Sequence, residues 1–226
     1  MKPIIIFGAG KVAQIIHFFF SEYTQREIIS FCVDSKYKIQ DKLNDIPIIE
    51  FDNLVDSYPP SAVDIFVAMG YQDMNKSRED KYQLFKDLGY TLASYIDANS
   101  NIPKNCIIGE NCFLMNNVII HPFVKIGNNV FIWGGSMVGH HSKIDDHCWI
   151  TSSSNISGNS SIGRNCFLGL NSSIGNSIKV QDYCFIGANS LIIKSTKKSE
   201  VFITAGTKPM RLNSEQFTKL SNFDSI

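Results

Sequence analysis

The chain has 226 residues, with 21 Lys plus Arg against 21 Asp plus Glu and a hydrophobic fraction of 44%. That length allows one large domain or two small ones with a core that needs no staples, and the balanced charge lacks the basic footprint of a nucleic-acid binder. The longest apolar run near the start, PIIIFGAGKVAQIIHFFF, is broken by Gly, Lys, Gln and His, so a cytoplasmic protein without secretory leader or membrane span is expected.

Residues 1–95 read as a small α/β domain. KPIIIFG is an apolar strand, GKVAQIIHFFFSEY a helix, and EIISFCVD a second strand ending in Asp34. IPII is short and extended, VDIFVAMG is a further buried strand, and NKSREDKYQLFKDLG is a helix. Strands alternating with helices argue for a Rossmann-like parallel sheet. The first turn, FGAGKVA, fits G-x-G-x-x-A: Gly8 and Gly10 permit a tight turn, and Lys11 opens a helix whose free N–H groups suit phosphate. Tight strand–helix packing would account for the same glycines. Asp34 stands where an acidic side chain can accept hydrogen bonds from a ribose or base. Gly70 ends another strand, with Asn75 and Arg78 early in the next helix, both placed to face a ligand at the sheet's C-terminal edge; a surface salt bridge is the other reading of Arg78. With about half the strands of a two-halved dinucleotide fold, the domain suits one nucleotide diphosphate better than a dinucleotide.

From Ile96 onward every sixth residue is Ile, Leu or Val, without a slip in register, as far as Ile192. Neither a helical period of 3.6 nor a strand period of 2 produces this, whereas a hexapeptide β-helix does. Three hexads make a triangular coil, each aliphatic pointing into the prism from Ile96 on. The fourth residue after each aliphatic is mostly small or β-branched, as an inward corner requires. Five of the six cysteines (Cys106, Cys112, Cys148, Cys166 and Cys184) fall in that series, which reads as buried, reduced thiols. The β-helix domain, with its C-terminal tail, spans 96–226.

Three of the five histidines crowd into VGHHSKIDDHCWI, residues 138–150. In register, Val138 points inward and Ser142 takes the small corner, leaving His140 and His141 on the corner's outer surface. One coil is eighteen residues, so Gly158 stacks on His140. An imidazole beside an exposed backbone N–H is the pair acyl transfer needs, a base for the acceptor and a donor for the developing oxyanion. Asp145, Asp146 or His141 could orient the base. No histidine trio has a zinc-site spacing, so no metal is expected. His147 reads as a surface residue and His17 as a helix residue. Gly169, Gly187 and Ala188 keep a groove open along later coils. Lys194, Lys197 and Lys198 either meet phosphates there or form a solvated basic patch.

IGENCF, IGNNVF, IGRNCF and IGANSL resemble the repeats of the bacterial hexapeptide (left-handed β-helix) transferase family. Joined to IIIFGAG…FCVD…VAMG, they resemble the PglD/NeuD-type sugar-nucleotide acyltransferases over nearly the whole chain. The resemblance implies left-handed coils and a homotrimer with active sites between subunits. It also implies acetyl-CoA-dependent N-acetylation of a nucleotide-linked 4-amino-4,6-dideoxy sugar in bacterial surface glycan biosynthesis. O-acetylation of a sugar such as sialic acid is the alternative, and a γ-type carbonic anhydrase a distant one. The family's catalytic histidine falls on His140 and its oxyanion glycine on Gly158. A coenzyme-contacting histidine of some relatives falls on Trp149, and the acidic residue that follows the base in some members is His141 here. The tail motif survives only as TAGTK, with Lys208 retained as a coenzyme contact.

Overall fold

The computed structural model describes residues 2–100 and 102–220. Its first part is a six-stranded sheet in the order β3-β4-β2-β1-β5-β6. The strands are β1 (Ile4–Phe7), β2 (Ile28–Val33), β3 (Lys42–Leu43), β4 (Ile46–Glu50), β5 (Asp64–Val67) and β6 (Thr91–Leu92). All pairings are parallel except β3 with β4, a small hairpin at the sheet edge. Helix α1 (Lys11–Tyr23), the short α2 (Leu54–Ser57) and α3 (Lys76–Asp87) connect them. β1 is buried along its whole length, as an apolar strand at the centre of a covered parallel sheet should be.

The rest of the chain winds into a three-faced prism of two-residue strands. Strands pair in parallel with the strand eighteen residues on, as Val138 pairs with Ile156 and Ile156 with Ile174, except at the end of one face, where Phe185 pairs with Val201. Faces of five, five and seven strands result. The seven-stranded face begins at β7 (Tyr95–Ile96), which pairs with Phe113–Leu114. The aliphatic series from Leu114 to Ile192 and the cysteines Cys112, Cys148, Cys166 and Cys184 form one core. Burial pushes the Cys112 thiol up to about 12. The expectation of an inward aliphatic at every sixth place fails at its first member. Ile96 is 39% exposed, because it lies at the open end of the prism with no coil beneath it.

The coils turn through residues with φ near 60°, and this position recurs every six residues. Asparagine holds it at Asn111, Asn117, Asn129, Asn159, Asn165, Asn171 and Asn189, because its short polar side chain tolerates the left-handed region best after glycine.

On the seven-stranded face the outward residue before each inward aliphatic is aromatic: Tyr95, Phe113, Phe131, Trp149, Phe167 and Phe185. Phe131 and Trp149 stack with centroids 5.0 Å apart, and Phe167 and Phe185 at 4.6 Å. On the other two faces the same positions carry Lys125, Lys143, Asn155 and Ser161 among others. The aromatic face is therefore the one the α/β domain covers: Phe19, Phe20 and Phe66 join this ladder in a single cluster. Trp149 lies inside that interface, 4% exposed, and Tyr71 packs on it.

Candidate active site

In the α/β domain a cleft of about 710 Å³ opens at the C-terminal edge of the sheet. Gly8, Gly10, Lys11, Asp34 and Gly70 all line it. Gly8 has φ of 120°, and a Cβ there would fall 2.7 Å from the Ala68 carbonyl oxygen, so the turn after β1 admits only glycine. Gly10 is the N-cap of α1, and a Cβ on it would meet nothing within 4 Å. The first turn of α1 carries no acidic residue, leaving the positive end of the helix dipole open toward the cleft. Asp34 is paired with Lys81, whose ammonium lies over the rings of Phe7 and Phe51. Beside the cleft lies an apolar recess of about 390 Å³ walled by Phe18, Phe19, Met115 and Trp133, with Lys11 shared by both cavities. The Trp133 Nε1–H is buried without an acceptor among the described residues.

Asn75 and Arg78 do not line the cleft; the expectation that they face a ligand is corrected. Both are fully buried against the β-helix. The Arg78 guanidinium donates to the carbonyls of Asn129 and His147 and to Asn75 Oδ1, and it lies 4.5 Å over the Phe131 ring. The surface salt bridge considered for Arg78 is excluded too. The first turn of α3 packs on a corner of the prism, so its early residues serve the junction rather than the sheet edge.

His147 belongs to the same junction and is likewise not a surface residue: it is 5% exposed. It stands in a ladder of corner side chains one coil apart. Asn111 Nδ2 donates to Asn129 Oδ1 at 2.8 Å, and Asn129 Nδ2 donates to His147 Nδ1 at 2.9 Å. Burial holds the His147 imidazole down at about 4, against the opposing pull of Glu79 and Asp146. His17 lies on α1, as its helical pattern implies.

The corner of His140 is built differently. His140 and His141 are both exposed. The register stacks Pro122, His140, Gly158, Asn176 and Lys194 along this corner, one per coil. A Cβ added to Gly158 would lie 2.7 Å from both Nε2 and Cε1 of His140. The imidazole thus rests directly on the glycine, in space any side chain would fill. Among the described residues no acceptor takes the Gly158 N–H. Asp145 and Asp146 do not orient this base: Asp145 pairs with Lys143 at 2.6 Å, and Asp146 Oδ1 accepts the Asn128 N–H at 2.7 Å. His141 does contact it, with the two Nδ1 atoms 3.2 Å apart. Trp149, on another face, is no part of this corner.

Gly169, Gly187 and Ala188 lie on a different corner, the one after the aromatic face. Gly169 is closely stacked, with a would-be Cβ 2.6 Å from the Ala188 nitrogen. Lys208 is exposed in the tail before the short α4 (Ser214–Leu220). Among the described residues no group of three His, Cys, Asp or Glu side chains converges to hold a metal ion, and no helix is long and apolar enough to cross a membrane.

Residues 105–140 match the family model of the bacterial transferase hexapeptide, and 160–194 that of the hexapeptide repeat of succinyl-transferase. No curated protein matches the chain in sequence. Among solved structures, one similar chain is a variant of perosamine N-acetyltransferase from Caulobacter crescentus in complex with CoA and GDP-perosamine. The identity is 18% and the TM-score 0.81, over 89% of this chain and 93% of that one. The acetyltransferase domain of PglB from Neisseria gonorrhoeae FA1090 matches at 20% identity and a TM-score of 0.79, over 89% and 96%. WeeI from Acinetobacter baumannii AYE matches at 18% and 0.55, over 84% and 96%. At these identities the likeness is one of fold, and the chain is built, as they are, from a mixed α/β domain on a left-handed hexapeptide β-helix.

Proposed function

We propose that this protein is an acetyl-CoA-dependent N-acetyltransferase acting on a nucleotide-linked amino sugar. The carrying observation is the His140 ring seated on Gly158 at an exposed corner, beside a backbone N–H that has no acceptor among the described residues. Its first support is chemical. An amine attacking a thioester loses a proton and builds negative charge on the carbonyl oxygen; His140 Nε2 accepts the proton, and the Gly158 N–H stabilises the oxyanion. The proton then passes to the departing CoA sulfur, leaving an amide and a free thiol. No covalent acyl-enzyme is required.

The second support is the likeness of fold to enzymes solved with CoA and with GDP-perosamine. In this reading Gly8, Gly10 and Lys11 hold the diphosphate at the α1 N-terminus, and Asp34 meets the nucleoside. The neighbouring recess, with its apolar walls and the free Trp133 N–H, takes the sugar, for which a 4-amino-4,6-dideoxy hexose supplies a methyl group. Coenzyme residues divide between two corners of the prism: His140, Gly158 and Lys194 on one, Gly169, Gly187 and Ala188 on another. A groove using both sets forms when two prisms lie side by side, so the working unit is a homotrimer with Lys208 of the tail at the coenzyme. The product belongs to cytoplasmic assembly of surface glycans, where CoA thioesters and sugar nucleotides meet.

A panel of UDP-, dTDP- and GDP-linked amino sugars with acetyl-CoA, read by mass spectrometry, tests the reading. Acetylation of at least one 4-amino sugar is expected. Transfer to none of them, or only to sugar hydroxyls, would refute it. Light scattering should report a trimer, and a monomer that turns over substrate would contradict the two-walled groove.

A further inference from the structure

Resting on the proposed role of His140, we infer that His141 fixes the tautomer of that base and that Phe123 fixes His141. The two Nδ1 atoms lie 3.2 Å apart, with ring planes at 83°. One of the nitrogens must carry the proton. The His140 edge facing Gly158 includes Nε2, so Nε2 must be the bare nitrogen if it is to accept a proton there. His140 is then protonated on Nδ1 and donates to Nδ1 of His141, whose own proton sits on Nε2. The opposite arrangement would put a proton on His140 Nε2 and leave no base over the glycine.

The turn geometry supplies the second half of the device. His141 has φ of 59° and Phe123 φ of 65°. Both occupy the repeating left-handed turn position, one coil apart, so their side chains leave the corner in the same direction. Their rings stack with centroids 4.5 Å apart and 26° between planes. Phe123 is 52% exposed and takes no part in the prism core. Phenylalanine is an uncommon choice for a left-handed turn, and here its ring braces the imidazole that holds the base. Both are positioning residues that act through His140. During transfer the amine proton moves to His140 Nε2, and the Nδ1 proton stays in its bond to His141.

Glycine and asparagine both suit the backbone at residue 141, which separates its conformation from its hydrogen bond. His141→Gly should lower kcat by roughly 10-fold or more while both KM values stay near the parent's, and His141→Asn, whose Oδ1 accepts from Nδ1–H, should recover most of that loss. Phe123→Ala should lower kcat in the same direction by a smaller factor. Ring ¹⁵N NMR, with His140 assigned by loss of its signals in His140→Ala, should show His140 protonated on Nδ1 in the parent and on Nε2 in His141→Gly. An Nε2–H tautomer in the parent would overturn the inference, as would unchanged kcat in His141→Gly when His140→Ala is inactive. Should no sugar nucleotide be acetylated at all, the functional reading fails, and the NMR result alone still decides the tautomer.

Discussion

His141 and His147 occupy the same place in the repeat, six residues apart, with φ of 59° and 63°. One is exposed, its imidazole meeting the rings of Phe123 and His140; the other is buried in a ladder of amides beneath α3. The repeat fixes backbone conformation at each corner and leaves the role of the side chain to whatever covers that corner. The corner of His147 borders the aromatic face and meets the α/β domain, so its polar groups are consumed in joining domains. The corner of His140 lies away from that junction, with none of the described residues of its own chain packed over it, and chemistry can use it.

The largest effect should come from the open corner. His140→Ala should lower kcat by roughly 10²–10⁴-fold, the usual scale for losing a general base. Its circular dichroism and thermal midpoint should stay near the parent's, since the side chain is exposed. A loss of less than threefold in an intact protein would remove His140 from the chemistry and erase the contrast between the corners.

The closed corner should answer in stability instead. Arg78→Ala leaves carbonyls of Asn129 and His147 without a donor and opens a cavity against Phe131, costing about 2–4 kcal/mol of unfolding free energy. Urea unfolding measures it. In the fraction that stays folded, KM for the sugar nucleotide should be unchanged; a selective rise in that KM would return Arg78 to the ligand.

The difference between the two corners also marks what the sequence could disclose. The prism core was legible because a coil repeats one inward position, and the period survives any choice of outward residue. The stacking of Gly158 on His140 followed from the same arithmetic of eighteen. Arg78, Asn75 and His147 were misread because their fate depends on which face carries the other domain, a contact between segments about 70 residues apart. A signal for that face was present, in aromatics spaced by eighteen from Tyr95 to Phe185. The orienting aspartates failed for a local reason: each had a nearer partner, Lys143 or the Asn128 amide. Phe123 carried no sequence signal beyond being an aromatic at a turn position.

The α/β domain has its own closed and open edges, since α3 is clasped to the prism while the α1 N-terminus faces the cleft. A Cβ on Gly10 meets no protein atom within 4 Å, so Gly10→Val should fold and project its methyls into the cleft. Steady-state kinetics should show KM for the sugar nucleotide raised by about 10-fold, a loss of about 1.4 kcal/mol of binding, with KM for acetyl-CoA unchanged. Equal weakening toward both substrates would mean that the cleft does not hold the nucleotide.

The smallest effect is in the pH dependence of stability, and it sits at the closed corner. His147 titrates at about 4 in the folded protein, chiefly because burial disfavours its charged form, and near 6.5 when unfolded. Between those values the unfolded chain binds the extra proton, so unfolding free energy rises with pH from about 4 to about 6.5 and levels off above, as far as this group is concerned. Asparagine already fills the same ladder at Asn111, Asn129 and Asn165, so His147→Asn keeps the turn and removes the titration. Urea unfolding at intervals from pH 4.5 to 7.5 should give the parent a steeper fall toward acid than the variant. Parallel curves would show that the His147 imidazole reaches solvent and charges in the folded protein, and the two corners would then differ in shape alone.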